Sequence, residues 1–370
     1  MEVTGVASQR LRVCLVNSVP DWGGGERVFV ELAAGLRAAD HRVTLVCRPG
    51  SILRTRAPAA IEVVPLRLTG YFDVATLVHL LRLFRATEFD AVICNTGRDC
   101  FLAGLAAIPA SVPVIRIRQL EQTRRSMHRL FIHRVLLSTV VSVSRAAQAG
   151  LTPLGIAPER LCVIHNGVEV KTPTLDRAQA REQFGVPEAA FLVAYTGRLS
   201  HEKGVDLLPD VAARLRAAGV PLRLLVAGEG PLHDTLAQQC RQRGLGDVVS
   251  LVGFLNQPEG LLAAADAAVM PSRRESFGVA AIEALATGTP LVATDVGGLA
   301  EIVAHEETAL LVPPDDSGAI ASALERLYRD SALAARLRER GRVRAREFSR
   351  ERMVAQYEAL IRRLRQQRRR

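Results

Sequence analysis

Short apolar runs alternate along this chain with longer segments in which apolar residues recur every three or four positions. The first run, LRVCLVNSV at residues 11–19, has the length and valine content of a parallel strand buried on both faces. The segment from Glu26 to Ala38 has the periodicity of an amphipathic helix. The same succession recurs through RVTLVCRP, DAVICNT, PVIRIRQ, TVVSVS and RLCVIHNGV. This alternation predicts a parallel sheet with helices on both faces.

Residues 171–190 break the pattern, because prolines and charged residues cluster there, and the alternation then restarts with FLVAYTG. We therefore predict two doubly wound, Rossmann-like α/β domains facing a cleft. The first covers residues 1–170 and the second residues 171–348, and residues 349–370 have the pattern of one amphipathic helix. In open α/β sheets, ligands bind beyond the carboxyl ends of the strands, so the chemistry is expected in the loops that follow strands.

Length and composition narrow the class of protein. No apolar run in the 370 residues reaches the ~20 positions of a membrane-spanning helix, and the first residues lack the pattern of a signal peptide. A cytoplasmic location is expected. The six cysteines show neither a C-x-x-C pair nor zinc-site spacing, so neither a disulfide framework nor a metal site is expected.

The net charge of +10 is unevenly distributed: residues 1–172 carry +8, residues 173–340 carry −6, and residues 341–370 carry +8. A basic front and tail favour anionic partners, either substrates or an anionic membrane surface at the inner face of the cell membrane. Only 4% of residues are aromatic, so base-stacking platforms and nucleic-acid binding are not expected. A general use of arginine in place of lysine is the alternative explanation.

Three loops carry candidate chemistry. The first, in PDWGGGERVF, places Gly24 and Gly25 between a strand and a helix, where backbone N–H groups suit a phosphate. A plain tight turn is the alternative. The second, YTGRLSHEKGVD, follows a strand and contains Gly197, Arg198 and Lys203. A guanidinium fork beside a compact ammonium suits a diphosphate, although a solvated loop would have the same composition.

The third loop leads into an apolar helix and carries two carboxylates eight positions apart, Glu275 and Glu283. Along a helix eight residues span ~12 Å, so the two groups are expected to bind two ends of one elongated ligand, not to act on one bond. Carboxylates accept hydrogen bonds from vicinal hydroxyls, which a nucleotide sugar has at its hexose and at its ribose. Between the glutamates, Ser276, Phe277 and Gly278 lead into the helix and add backbone N–H groups.

These motifs resemble those of a known family. The stretches GGGERVFVELA, VSVSRAAQ, VIHNGV, TGRLSHEKGVD and VAGEGPL, and above all ESFGVAAIEALATGTPLVATDVGGLAEIV, are similar to retaining GT-B glycosyltransferases of the group-one type, glycosyltransferase family four. The resemblance covers roughly residues 11–365.

The resemblance implies a nucleotide-sugar donor held by the second domain, with Glu275 contacting the hexose and Glu283 the ribose. Arg198 and Lys203 would stabilise the leaving diphosphate, and Gly24 and Gly25 would approach the phosphates from the first domain. Transfer would retain the anomeric configuration and need neither a metal nor another cofactor. The last helix would return to the first domain, which would hold a glycan, lipid-linked or other cell-envelope acceptor.

One departure concerns the acceptor side. Many members of the family carry a histidine after the strand that corresponds to PVIRIRQ, whereas this chain has Arg116 and Arg118 there, followed by Arg124 and Arg125. An arginine cannot act as a general base, but it suits a phosphorylated or carboxylated acceptor. A solvated basic helix is the alternative for the last two.

Two other classes of function remain open on these residues. One is a nucleotide-sugar epimerase on the same fold, and the other is a non-catalytic nucleotide-sugar binding protein. The donor base, the sugar, the acceptor and the linkage are not specified by the loops.

Overall fold

The computed structural model describes residues 9–119, 130–169 and 177–369. The chain divides into two compact units. The first contains residues up to Gly167 together with the segment from Arg350, and the second runs from Val168 to Ser349.

The first unit is built on a seven-stranded parallel sheet with the strand order β3-β2-β1-β4-β5-β6-β7. Its strands are β1 (Arg12–Asn17), β2 (Arg42–Cys47), β3 (Glu62–Pro65), β4 (Ala91–Cys94), β5 (Val114–Arg118), β6 (Thr139–Ser142) and β7 (Leu161–Val163). Before the last helix of the chain, the described residues of this unit form α1 (Gly24–Ala38), α2 (Leu53–Arg56), α3 (Val74–Ala86), α4 (Gly97–Ala107) and α5 (Arg145–Ala149). A π-helical turn spans Ile132–Leu136. Strands β1 and β2 pair in register along six residues each.

The second unit has a six-stranded parallel sheet with the order β10-β9-β8-β11-β12-β13. Its strands are β8 (Phe191–Thr196), β9 (Leu222–Ala227), β10 (Val249–Gly253), β11 (Ala267–Met270), β12 (Leu291–Thr294) and β13 (Leu310–Val312). Its helices are α6 (Arg177–Gln183), α7 (Leu208–Ala217), α8 (His233–Gln242), α9 (Glu259–Ala264), α10 (Val279–Thr287), α11 (Leu299–Ile302), α12 (Ser317–Arg329) and α13 (Ser331–Ala345).

Both sheets confirm the prediction of two doubly wound, Rossmann-like α/β folds. The central strands are short apolar runs buried on both faces, and every residue of β4, β6, β11 and β12 is buried. Each sheet reverses its direction of winding between its first and fourth strands in chain order, β1 and β4 in one unit and β8 and β11 in the other. Such a switch point is where open α/β sheets bind ligands.

The last helix, α14 (Arg350–Arg369), belongs to the first unit, as the prediction of a returning C-terminal helix requires. Its Arg350 guanidinium lies 3.4 Å from Glu31 Oε2 on α1, and Arg365 Nε lies 2.9 Å from Asp90 Oδ1. Gly35 allows the close approach of α1, because a Cβ at this position would lie 2.4 Å from a methyl group of Val354.

The buried side chain of His41 also connects the last helix, α14, to the rest of the first unit. His41 Nδ1 accepts a hydrogen bond from the Leu11 amide at 3.1 Å, and His41 Nε2 lies 2.8 Å from Glu358 Oε1. Because Nδ1 is an acceptor, Nε2 carries the hydrogen and donates to the carboxylate. Among the residues that the structure describes, no helix combines the length and the apolar character needed to cross a membrane.

Candidate functional site

Two of the predicted site residues meet at the switch point of the second unit. Lys203 lies in the loop after β8 and Glu275 in the loop after β11, and Lys203 Nζ is 2.5 Å from Glu275 Oε2. The carboxylate side chain is 10% exposed and the lysine side chain 27% exposed, so this ion pair is largely desolvated on its acidic side. A charge-assisted hydrogen bond in such a place is stronger than its surface counterpart.

Backbone and side-chain contacts hold the two loops against each other. The amides of Arg273 and Arg274 both donate to the carbonyl of Glu202, at 2.9 and 3.1 Å. Both terminal nitrogens of Arg273 donate to the Asp206 carboxylate at 2.7 Å, in the bidentate geometry that arginine favours. Desolvation acts to raise the pKa of Asp206, but the hydrogen bonds from Arg273, a backbone hydrogen bond and the positive charge of Arg273 together outweigh it, so the pKa is lowered.

Gly204 makes the close approach of these loops possible. It has a φ of +66°, and a Cβ there would lie 1.9 Å from the carbonyl oxygen of Pro271. Gly228 has a similar role, because its Cβ would lie 1.8 Å from the carbonyl oxygen of Gly197. Any other residue at either position would push apart the backbone that positions Lys203 and Glu275.

Arg198 and Gly197 lie directly after β8, on the same loop as Lys203. Arg198 is exposed, and its carbonyl accepts a hydrogen bond from the Tyr195 hydroxyl at 2.9 Å. Burial, and after it the nearby Glu275 carboxylate, raise the pKa of Tyr195 well above its ordinary value of 10. The phenol therefore stays protonated and fixes the backbone at Arg198, which leaves the guanidinium at the surface of the loop.

The stretch between the two glutamates is a loop up to the start of α10. Helix α10 begins at Val279, so Glu275 lies in the preceding loop and only Glu283 lies on the helix, in its second turn. The rise of a helix therefore does not give the distance between the two carboxylates, because Gly278, with a φ of +111°, separates the loop from the helix. Glu283 itself is buried, at 6% exposure.

Phe277 and Ser276 pack against the rest of the unit. The Phe277 ring is buried and meets the Phe348 ring edge to face, with centroids 5.8 Å apart. Gly298 lies so close that a Cβ would be 2.5 Å from Phe277 Cα and from the Ser276 carbonyl oxygen, and its amide donates to the Glu275 carbonyl at 2.8 Å. The side chain of Phe277 is thus part of the core, and its backbone alone lies in the loop that carries Glu275.

In the first unit, the glycines of the GGG loop lie at the start of α1. Gly24 is exposed and is the first residue of the helix, and the Gly25 carbonyl accepts a hydrogen bond from Gln119 Nε2 at 3.1 Å. Gly25 has little room for a side chain, since a Cβ would lie 3.0 Å from the same amide nitrogen.

Sequence reasoning missed a buried carboxyl group beside these glycines. Glu26, in the first turn of α1, accepts a hydrogen bond from Asn95 Nδ2 at 3.0 Å, and it also interacts with Asn17. The two asparagines lie at the carboxyl ends of β4 and β1, on either side of the switch point of this sheet. Burial raises the pKa of Glu26 above its ordinary value of 4.5, although these hydrogen bonds act in the opposite direction. An acidic residue directly after a glycine run was the available signal.

Two of the predicted acceptor-side arginines are buried inside the first unit, whereas the glycine loop has an exposed residue. Arg116 and Arg118 lie on β5 and are buried, at 9% and 7% exposure. Arg116 Nη1 lies 2.8 Å from His133 Nε2, and because a guanidinium can only donate, His133 accepts through Nε2. Arg116 is thus engaged inside the unit, not presented to solvent. Arg124 and Arg125 lie outside the described residues.

Among the residues that the structure describes, His, Cys, Asp and Glu side chains form no group of three or more that could hold a metal ion. At the switch point of the second unit, Lys203 pairs with Glu275 and Arg198 lies on the same loop as Lys203, whereas Arg273 is engaged by Asp206.

Two family models match almost consecutive parts of the chain. The model described as "Glycosyl transferases group 1" matches residues 176–344, and the model described as "Glycosyltransferase Family 4" matches residues 22–172. The chain therefore carries a group 1 glycosyltransferase domain, preceded by a family 4 glycosyltransferase domain. The first match contains Arg198, Lys203, Glu275 and Glu283, and the second contains the glycine loop.

Individual relatives of this family match over shorter stretches. An uncharacterized glycosyltransferase of Methanocaldococcus jannaschii is 32% identical over 203 residues, which are 52% of this chain and 51% of the relative. A D-inositol 3-phosphate glycosyltransferase of Corynebacterium urealyticum is 39% identical over 185 residues, covering 46% of this chain and 43% of the relative. The chain spans about half the length of the curated relatives it matches.

Solved structures agree with the GT-B glycosyltransferase fold over nearly the full length. The crystal structure of Anabaena Alr3699/HepE in complex with UDP-glucose has a TM-score of 0.83 and 23% sequence identity, and the match covers 95% of this chain and 99% of that chain.

Proposed function

We propose that this chain transfers a hexose-type sugar from a nucleotide-sugar donor to a glycan, lipid-linked or other cell-envelope acceptor, with retention of the anomeric configuration. The observation that carries the proposal is the ion pair of Lys203 and Glu275 at the switch point of a group 1 glycosyltransferase unit. A lysine beside a largely desolvated carboxylate, both in loops after parallel strands, suits a ligand with a phosphate at one end and hydroxyls at the other.

The diphosphate of the donor would be bound by Lys203 and Arg198. In the structure Lys203 has the Glu275 carboxylate as its partner, and an incoming diphosphate supplies a second anion for the same ammonium. Negative charge on the diphosphate grows as the glycosidic bond to the donor breaks. Fixed cations at this position therefore stabilise the transition state more than the bound substrate, which is the condition for catalysis.

The two glutamates would bind the hydroxyl groups at the two sugar rings of the donor. Glu275, in the loop after β11, would accept hydrogen bonds from the hexose, and Glu283, on α10, from the ribose. The backbone of Ser276, Phe277 and Gly278 connects these two positions and would add N–H donors. In the first unit, Gly24 and Gly25 lie at the exposed start of α1, which suits a phosphate.

Metal independence is part of the proposal, because Lys203 and Arg198 take the charge-neutralising role at the diphosphate that a divalent cation has in other enzymes. UDP-sugars are the first donors to test, since the structurally similar Anabaena protein was crystallised with UDP-glucose.

Thermal unfolding of the full chain against a panel of nucleotides and nucleotide sugars tests the donor site. A ligand at a hundred times its dissociation constant adds ~2.7 kcal/mol to the stability of the folded state. One nucleotide series should raise the midpoint of the wild type and fail to raise that of Glu283→Ala, whereas Arg241→Ala, an exposed change on α8, should respond like the wild type. A panel without any response contradicts the proposal.

Product analysis separates the proposal from its alternatives. With the responding donor and a mixture of candidate acceptors, NMR spectroscopy should show an extended glycan with the anomeric configuration of the donor, and chelation by EDTA should leave the rate unchanged. A free isomer of the donor sugar would instead identify a nucleotide-sugar epimerase. Donor binding without turnover, whatever the acceptor, would identify a binding protein.

Peripheral association with the inner face of the cell membrane completes the proposal. The charges of +8 on residues 1–172 and +8 on residues 341–370 support it, since each basic side chain near an anionic bilayer contributes ~1 kcal/mol. Flotation with anionic vesicles should decrease as salt is added and when residues 366–370 are removed. If neither salt nor removal of residues 366–370 reduces the flotation, an electrostatic attachment is excluded.

A further inference from the structure

A concave pocket of about 300 Å³ lies in the first unit, and no functional assignment above includes it. Its lining residues are Pro20, Arg48, Pro49, Gly50, Arg67 and Thr69. They follow β1, β2 and β3, three neighbouring strands, so the pocket lies at the carboxyl edge of the sheet. This edge is where a doubly wound sheet binds ligands.

The pocket carries two positive charges that the protein does not neutralise. Within the described part of the chain, neither the Arg48 nor the Arg67 guanidinium makes an ion pair or a hydrogen bond. Neighbouring arginines do have partners: Arg98 donates to the Leu68 carbonyl at 2.9 Å, and the Arg56 guanidinium lies 4.2 Å from the centre of the Trp22 ring. Two arginines that line one pocket and have no partner among the described residues suit an oxyanion, which a guanidinium can bind in bidentate fashion.

The loop that presents Arg67 and Thr69 is held in a fixed and unusual conformation. Leu68 has a φ of +47° and is fully buried, an arrangement that is unfavourable for a non-glycine residue and persists only when its surroundings enforce it. The Arg98 guanidinium holds the Leu68 carbonyl, and the Leu68 amide donates to Thr76 Oγ1 at 3.3 Å. Arg67 and Thr69 are thus presented on either side of an anchored residue.

The acidic group nearest to this loop does not cancel the charge of the arginines by bonding to them. The Asp73 carboxylate accepts hydrogen bonds from the amides and hydroxyls of Thr69 and Thr76, at 2.8 to 3.2 Å. Desolvation acts to raise the pKa of Asp73, but these four hydrogen bonds outweigh it and lower the pKa to about 2. The hydrogen bonds of Asp73 therefore stabilise the loop, and the guanidinium groups of Arg48 and Arg67 remain available to bind a ligand.

We propose that Arg48 and Arg67 bind the phosphate of a phosphorylated acceptor, a phosphomonoester carried either by a soluble polyol or sugar or by a lipid. The assignment rests on the proposed transferase function, because only then is the bound molecule an acceptor. A pocket of this volume holds a phosphate with part of the group that carries it. Phe72, which is 91% exposed and lies three residues beyond Thr69, is placed to meet an apolar body if the phosphate belongs to a lipid.

Calorimetric titration of the full chain tests the pocket. The probes are inorganic phosphate, D-inositol 3-phosphate as a soluble phosphomonoester, and phosphatidic acid in phosphatidylcholine vesicles. The pocket variant is Arg48→Ala/Arg67→Ala. Its matched control is Arg82→Ala/Arg85→Ala, which removes the same charge from exposed positions on α3 of the same unit. Binding of at least one phosphomonoester should weaken about tenfold or more in the pocket variant and stay within about twofold in the control.

The two arms identify the source of the phosphate. Loss confined to D-inositol 3-phosphate indicates a soluble acceptor, and loss confined to the vesicles indicates a lipid phosphate. The proposal is overturned if the wild type binds no phosphomonoester, or if the control loses as much affinity as the pocket variant, since binding would then follow net charge alone.

The effect of UDP on the thermal stability of the same samples distinguishes a failure of the pocket proposal from a failure of the proposed transferase function. The stabilising effect of UDP should persist in both double variants, because neither arginine pair is among the proposed donor-binding residues, and Lys203 and Glu275 lie in the other unit. If UDP and other nucleotides fail with every variant while the phosphate arm behaves as expected, the transferase function is wrong and the pocket remains an oxyanion site. If UDP binds throughout and the phosphate arm fails, the transferase function stands and the pocket assignment is wrong.

Discussion

Lys203 Nζ and Glu275 Oε2 lie 2.5 Å apart, although 72 positions separate the two residues in sequence. The pair joins the loop after β8 to the loop after β11, the two strands between which the winding of the sheet reverses. Under the proposed function one ligand contacts both groups, and the lysine and the glutamate are expected to act as a unit, because removing either leaves the other without its ion-pair partner.

A double-mutant cycle tests this unit. Lys203→Ala and Glu275→Gln should each lower kcat of sugar transfer by about 10²–10³, the usual cost of removing one group that stabilises developing charge. The double variant should lose no more than the worse single variant, since residues that act together are strongly non-additive. Initial rates with saturating donor provide the measurement. Arg274→Ala, an exposed neighbour of Glu275, should retain activity; fully additive losses would mean that the two groups act independently.

The glycine next to Lys203 allows a clean stability comparison. Gly204 and Gly219 both have positive φ, +66° and +75°, but a Cβ at Gly204 would meet the Pro271 carbonyl at 1.9 Å, whereas a Cβ at Gly219 would meet nothing within 4 Å. Gly219→Ala should lower the free energy of unfolding by ~1 kcal/mol, the conformational cost alone. Gly204→Ala should lower it by ~3 kcal/mol or more, because backbone must move. Urea unfolding measures both; equal losses would show that the loops separate without cost.

Glu26 gives the first unit a specific pH dependence. Its pKa in the folded chain is raised above its ordinary value of 4.5, so the folded state binds this proton more tightly than the unfolded state. The contribution of Glu26 to stability is therefore complete below pH 4.5 and is lost as the pH rises through the folded pKa. Glu26→Gln keeps an acceptor for Asn95 and removes the charge. The free energy of unfolding of the wild type, relative to this variant, should fall as the pH is raised from about 4 to about 7.

Urea unfolding at a series of pH values provides that comparison. Glu88→Gln, an exposed change in the same unit, is the control and should follow the wild type at every pH. Parallel curves for the wild type and Glu26→Gln would contradict the assignment of the pH dependence to this buried carboxyl group.

Most of the sheet was predictable because a parallel strand buried on both faces is an apolar run that stands out from its surroundings. β3 and β13 were missed: both are short, at four and three residues, and β3 contains a glutamate and a proline. β5 was predicted as a strand, but the burial of Arg116 was not. Its partner His133 lies 17 residues later, and the local pattern of apolar and polar residues does not predict that contact.

The candidate site was likewise predictable only in part. The loops of Lys203 and Glu275 were predictable, because ligands bind after strands and both segments follow apolar runs. The contact between Lys203 and Glu275 was not predictable, because it requires β8 and β11 to be neighbouring strands. Local periodicity predicts the strands but not their order in the sheet. The clamp of Arg273 on Asp206 and the close approach at Gly204 were missed for this reason, since both exist only once the two loops meet.

The return of α14 to the first unit bears on the order in which the protein is made. All of the second unit, from Val168 to Ser349, leaves the ribosome before the helix that covers α1. At ~5–20 residues per second, synthesis of that stretch takes roughly ten to forty seconds. Throughout this interval His41 has no Glu358 to receive its hydrogen, and Asp90 has no Arg365. The first unit is begun first and completed last.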